Sequence, residues 1–277
     1  MAELSSVDSV TAWIALIVAA LTTAVWSPRV NAQWLHYPTA GLPRLPDGTP
    51  NLAAATPRTA DGTPDLSGIW KAVTRPCASC TDPVAEQFLD FGFGVKGGLP
   101  YQPWAAALVQ QRTARLGRDD PYSQCLPAGV PRTHVIPVFG SKFVQLPRML
   151  IILNERNATY RQVFLDGRPL PTDPQPSWNG YSSGRWTGDT LIVETNGLRD
   201  GVWLDRKGSP LTDAASVIER FRRINVGTME VTISVTDPKA YTAPWTTTVT
   251  ESLMPDTDLI DAYCLENERD QAHLVTH

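Results

Sequence analysis

The chain has 277 residues, 42% of them hydrophobic and 19% charged, with a formal net charge of −4. These values exclude wholesale disorder and give no electrostatic reason to expect nucleic acid or an anionic membrane surface as partner. Twenty-four prolines and nineteen glycines favour short strands and long loops over long helices.

Residues 11–26 form an apolar run without a charge. A spanning helix needs roughly 20 such residues, so the run suits a signal-peptide core better than an anchor. Val30-Asn31-Ala32 supplies small cleavage positions. Residues 1–32 are therefore expected to be a cleaved leader, with export to the periplasm or beyond and no stable membrane insertion after processing. The n-region is atypical, because it carries Glu3 and Asp8 and neither Lys nor Arg before the apolar run.

Residues 33–64 read as a Pro/Gly-rich arm. It holds a short echo, DGTPNL at 47–52 and DGTPDL at 61–66. Two copies make a spacer or a surface-hugging arm, not a solenoid. Residues 65–277 are expected to form one β-rich domain with a helical insertion at about 81–117. Two short helices are predicted there. The first covers residues 81–90, with Thr81 as N-cap. The second covers 103–116, with Pro103 at its start, Gly117 past its end, and Trp104, Leu108 and Leu116 on the face that packs across a sheet.

From residue 143 onward, strand follows strand: 143–146, 149–155, 160–165, 183–186, 190–195, 217–224, 229–236 and 245–253, with one more near 68–73. Alternation is clearest in Met229, Val231, Ile233 and Val235 against Glu230, Thr232, Ser234 and Thr236. Residues 217–223 read as strand, with a helical turn as the alternative. Nine strands with few helices between them argue for antiparallel connections. Closing them into a barrel, or packing them as a barrel-like sandwich, removes exposed edges.

Gly68-Ile69-Trp70 resembles the G-x-W entry of lipocalin-like barrels, where a Trp plugs the closed end under a basic side chain from a late strand. Arg220 or Arg222 is the expected partner. A closer resemblance runs over residues 33–277. QWLHYPTAGLPRLPDGTPNL, PDLSGIW, DPYSQCLPAGVPR, YRQVFLDGRPLP, GRWTGDTLIVET, DPKAYTAPWT and CLENERD are together similar to an uncharacterised family of exported bacterial proteins. That resemblance implies export and a shared fold, and no reaction. Members often carry histidines around the segment matching Gly208-Ser209-Pro210-Leu211, where this chain has none.

Four cysteines in an exported chain allow three pairings. The expected ones are Cys77–Cys80 and Cys125–Cys264, with half a zinc site at Cys77-Ala78-Ser79-Cys80 as the alternative. No metal and no cofactor is expected. Gly180-Tyr181-Ser182-Ser183-Gly184 matches G-x-S-x-G but lacks the strand–elbow–helix setting of a nucleophile. Asp256, Asp258 and Asp261 read as a solvated acidic loop, with a calcium cluster as the alternative.

Candidate catalytic residues are Glu155 and Arg161, which flank the turn at 156–160 and are expected to face each other, and His134, the one histidine placed near a barrel mouth. His134 is either a general base or a satisfied loop histidine. Glu219 and Arg220 point to opposite strand faces, so they do not share a site. Candidate ligand-binding residues are Asp166, Arg168, Trp178, Tyr181, Arg185 and Trp186, clustered on the loop between two strands and on the hairpin after it. Asp166 and Asp189 are also ordinary turn residues, and the aromatic residues equally suit the core.

The leading expectation is an exported binding protein for a small, partly apolar or aromatic molecule. The alternatives are a cofactor-independent lyase, isomerase or hydrolase using a carboxylate–arginine pair, and a structural or partner-binding envelope protein. Oligomeric state stays open.

Overall fold

The chain divides into two units, residues 1–32 and 33–277. The computed structural model describes residues 34–35, 37–73, 88, 90–93 and 95–266. The expected leader, the first predicted helix at 81–90 and the Cys77–Cys80 pair therefore lie outside, or almost wholly outside, the described residues.

Nine strands close into a barrel. They are β2 (Gly68–Ala72), β3 (Ser141–Leu146), β4 (Met149–Asn154), β5 (Thr159–Phe164), β6 (Tyr181–Thr187), β7 (Thr190–Asn196), β10 (Ser216–Arg223), β11 (Thr228–Thr236) and β12 (Trp245–Leu253). Two small two-stranded pairs lie outside it: β1 (Trp34–Leu35) with β13 (Thr257–Asp258), and β8 (Val202–Trp203) with β9 (Pro210–Leu211). The barrel runs in the order β2-β3-β4-β5-β6-β7-β10-β11-β12 and returns to β2. The mainly β, closed-barrel expectation is met, and residues 217–223 are strand.

An odd number of strands cannot alternate direction all the way round, so one neighbouring pair must run parallel. That pair is β5–β6, joined over Val163↔Ser182 and Phe164↔Ser183 only. On its other side β5 pairs with β4 along its whole length. Among the described residues, the first four residues of β5 thus have no strand beside them at this seam.

Strand alternation fills the interior. Val217, Glu219, Phe221 and Arg223 of β10 are buried, as are Met229, Val231, Ile233 and Val235 of β11 and Trp245, Thr247, Val249, Glu251 and Leu253 of β12. Trp70 lies at the end where β2 begins. Its indole N–H donates to the Leu66 carbonyl at 2.9 Å, and the Arg223 guanidinium sits 4.8 Å over its ring. The basic partner is thus Arg223, and not Arg220 or Arg222: inward positions on β10 are odd-numbered, so the two expected arginines face out. Glycine is strongly favoured at 68. Its φ is +138°, and a Cβ would stand 2.6 Å from Leu253 Cδ1.

The arm wraps this same end. Both echo copies fold into one clip: Leu45 N–H donates to Thr49 O and Thr59 N–H to Thr63 O, while Arg44 and Arg58 hold Gly48 O and Gly62 O. Each arginine then reaches an aspartate on the barrel side, Arg44 to Asp256 and Arg58 to Asp189. Val226 and Gly227 donate backbone hydrogen bonds to Ala54 and Leu52.

The second predicted helix exists as α1 (Pro103–Ala114), but its buried side chains are Ala105 and Val109. Trp104 and Leu116 are exposed. The helix docks on the β8–β9 pair and neighbouring loops and not across the barrel sheet: Arg112 stacks 4.3 Å over Trp203 and donates to Gly208 O, and the Trp104 indole donates to Lys239 O. Small residues let it lie close, which an apolar-face reading of large side chains misses. A 3-10 turn, Arg132–Val135, brings His134 inward against Phe221.

Candidate functional site

Two of the three catalytic candidates meet inside the barrel. His134 Nε2 lies 2.8 Å from Glu219 Oε1 and its Nδ1 lies 2.7 Å from Glu251 Oε1. Arg161 donates from Nη1 to Glu219 Oε1 at 3.1 Å, from Nε to Ser182 Oγ at 3.1 Å and from Nη2 to Thr195 Oγ1 at 2.9 Å, and also grips Glu219 Oε2. Ser182 and Thr195 hydroxyls join at 2.9 Å. All six groups are buried.

Two cations and two carboxylates balance in this network. Burial works against the His134 imidazolium, but Glu251 and Glu219 outweigh it and raise its pKa to about 9. Both ring nitrogens then donate. Burial also works against the Glu219 anion, but Arg161 and His134 hold its pKa down to about 2. Glu219 is accordingly a weak base with both oxygens occupied. The carboxylate that meets Arg161 is Glu219. Glu155 is buried elsewhere, with Oε2 accepting from Gly140 N–H at 2.9 Å. The expected Glu155–Arg161 facing fails because Arg161 points inward from β5, while Glu155 lies beyond the end of β4 and turns to the Gly140 backbone.

Sequence reading left Glu219 out of the site and did not single out Glu251. A signal existed in each case: both are charged residues at inward positions of strands whose other inward residues are mostly apolar. A charge at such a position is costly unless paired. Ser182 is a strand residue bonded to Arg161, with no elbow around it.

The parallel seam opens to the surface as a cleft of about 540 Å³. Tyr160, Phe164, Trp178 and Tyr181 line it, and Arg161 and Ser182 form part of its wall, so it borders the buried network. Asn179 Nδ2 donates to Tyr160 O at 2.8 Å, occupying one carbonyl of the unpaired edge. Phe164 and Tyr181 stack at 5.1 Å, Arg168 lies 4.0 Å over Phe164, and Arg199 lies 4.6 Å over Trp178. Asp166 does not enter the cleft. It pairs with Arg168 on the surface, and that arginine holds its pKa down to about 2.

The remaining ligand-binding candidates fall away from the cleft. Arg185 points out and pairs with Glu194. Trp186, near the opposite end of β6, lines a separate hollow with Thr59, Thr63, Gln145 and Leu165 beneath the arm. Seven residues of one strand span the barrel wall, so its two ends cannot serve one site. Where the resemblance expects histidines, Ser209 is buried between Asp205 and the Tyr101 hydroxyl, and Asp205 also takes the Gly208 and Phe91 N–H groups. Asp256 and Asp258 pair with Arg44 and Lys142.

Cys125 and Cys264 form a disulfide with a Cα separation of 5.4 Å. Among the described residues no helix is long and apolar enough to cross a membrane. Comparison with known proteins finds no protein-family model that matches the chain and no match among curated proteins.

Proposed function

We propose that the protein is an exported binding protein for a small, partly apolar or aromatic molecule, seated in the β5–β6 seam cleft. The observation that carries this reading is the cleft itself, where the barrel wall parts beside four aromatic side chains. Its volume falls within the roughly 300–1,000 Å³ of small-molecule sites, and aromatic walls with a few polar groups are their usual lining. Tyr160 is 63% exposed, a large apolar face available to a ligand. The Cys125–Cys264 disulfide supports an oxidising compartment, as expected for the exported family that the sequence resembles. The moderate negative charge supports a small-molecule partner over nucleic acid.

A catalytic reading finds less support. Glu219 is held fully ionised and doubly paired, and His134 donates from both nitrogens, so neither is poised to take a proton from a substrate.

Native mass spectrometry of the protein from its own compartment, with thermal shifts across a lipid and aromatic library, tests the proposal. A bound molecule or a saturable shift is expected, reduced in Trp178→Ala and Tyr181→Ala; a ligand at 100 times its Kd stabilises by about 2.7 kcal/mol. No bound molecule and no shift in any condition sinks it.

A further inference from the structure

We propose that a second pocket, between Tyr122 and Arg156, binds a small carboxylate of formate or acetate size. Asp120 prepares the site. Its carboxylate takes the Tyr122 N–H at 3.0 Å and a bidentate pair from Arg132 at 2.7 and 2.6 Å, which anchors the backbone at Tyr122. The Tyr122 ring packs against two guanidinium groups, with Arg156 3.6 Å and Arg132 5.0 Å from its centroid. Arg132 is neutralised by Asp120. Arg156 instead gives Nη2 to the Tyr122 carbonyl at 2.6 Å and lies 2.9 Å from Cys264 Sγ, and among the described residues it forms no ion pair.

Three buried donors of this cluster are left over, and two of their residues, Tyr122 and Arg156, line the pocket while Arg132, whose Nε is the third, does not. The Tyr122 hydroxyl and Arg156 Nε have no hydrogen-bond partner, although Tyr122 is only 7% exposed. Both residues line one cavity of about 30 Å³. Most neighbouring polar groups are already used: Asn157 donates to Cys125 O and accepts from Cys264 N–H, and Asn154 accepts from Ser141 and donates to Thr159, while Thr133, which carries a hydroxyl, also lines the cavity. Burial raises the Tyr122 pKa against the opposing pull of Arg156 and Arg132, so the phenol keeps its proton. An unmade hydrogen bond at each of these groups is costly, and an unpaired cation more so.

One planar anion answers both pocket donors and the unpaired charge. One carboxylate oxygen accepts from the phenol, the other from Nε–H, and its charge balances Arg156. The cavity holds about two water molecules, which suits a carboxylate and not a tetrahedral dianion. Ala128, Ile136 and Phe139 supply an apolar wall for a hydrogen or methyl group. Neither Tyr122 nor Arg156 lines the seam cleft, so this site stands or falls independently of that one.

Titration of the full chain with ¹³C-formate and ¹³C-acetate at constant ionic strength, with chloride as control, tests the proposal. Saturable binding to the wild type is expected, weakened about tenfold or more in Tyr122→Phe and in Arg156→Lys, with little change in the unliganded melting temperature of Tyr122→Phe. Absence of saturable binding, or unchanged binding in Tyr122→Phe, overturns it. If Arg156→Lys does not fold, Tyr122→Phe still keeps the ring stack, and a crystal structure grown in acetate decides: a planar carboxylate between the two donors supports the site, and two waters overturn it.

Discussion

At the residue scale, His134, Glu219, Glu251 and Arg161 dominate the barrel interior. Their pairing makes stability depend on pH in a definite way. The His134 pKa is raised from 6.5 to about 9, so its contribution is complete below pH 6.5 and is lost as pH rises through 9. The Glu219 pKa is lowered from 4.5 to about 2, so its contribution is complete above pH 4.5 and is lost as pH falls through 2. Both are present between pH 4.5 and 6.5. The urea midpoint is expected to be highest there and to decline toward pH 9, with the alkaline decline flattened in His134→Gln. A wild-type profile flat from pH 6 to 10 contradicts this. Arg161→Met leaves Glu219 half-paired in a buried site and is expected to cost about 3–5 kcal/mol in chemical denaturation. A loss under about 1 kcal/mol would mean that the barrel centre is wetter than its burial indicates.

At the element scale, β2 and the tail carry the constraints. Gly68 adopts a φ that L side chains rarely adopt, and a Cβ there would force the Leu253 side chain to shift. Gly68→Ala is expected to destabilise by about 1–3 kcal/mol, read as a lower urea midpoint with an unchanged slope. The Cys125–Cys264 bond spans a sequence separation of 139. In the chain-entropy view its loss costs about 3–5 kcal/mol, and Cys125→Ser/Cys264→Ser provides the measurement. The packing face of α1 and the seam were the features least visible in the sequence, although Pro103 and Gly117 marked the helix itself. A helix that buries alanine and valine while exposing Trp104 shows no readable apolar stripe. The seam is a relation between strands 17 residues apart, Val163↔Ser182 and Phe164↔Ser183 being its only rungs.

At the scale of the molecule, closure is what the fold depends on. The ring is completed by β2 pairing β12 and β3, across long stretches of chain. A protein beginning after Ala72 keeps eight strands but exposes the edges of β3 and β12. Such edges pair with other chains. That truncation is therefore expected to elute as large aggregates in size-exclusion chromatography, whereas residues 33–277 do not aggregate. A well-behaved truncated species would show that closure is dispensable.

Sequence alone pointed to a mainly β architecture, with barrel and barrel-like sandwich both open, and to the strand alternation of β11, the Trp70 plug and, as one of three possible pairings, Cys125–Cys264; the structure decided for the closed barrel and for that pair. Those pointers rest on period-2 patterning, on a Trp at a strand start, and on cysteine arithmetic, all of which are local or countable. Sequence also marked His134 and Arg161 without relating them, and grouped Trp178 and Tyr181 on one loop. Tertiary structure alone decided that Arg161 meets Glu219 and not Glu155, that Arg223 covers Trp70, and that Trp178 and Tyr181 stand at the seam while Arg185 and Trp186 do not. The reason is geometric: inward and outward faces follow from register, register follows from which strands neighbour each other, and a nine-membered ring places its one parallel seam only when it closes.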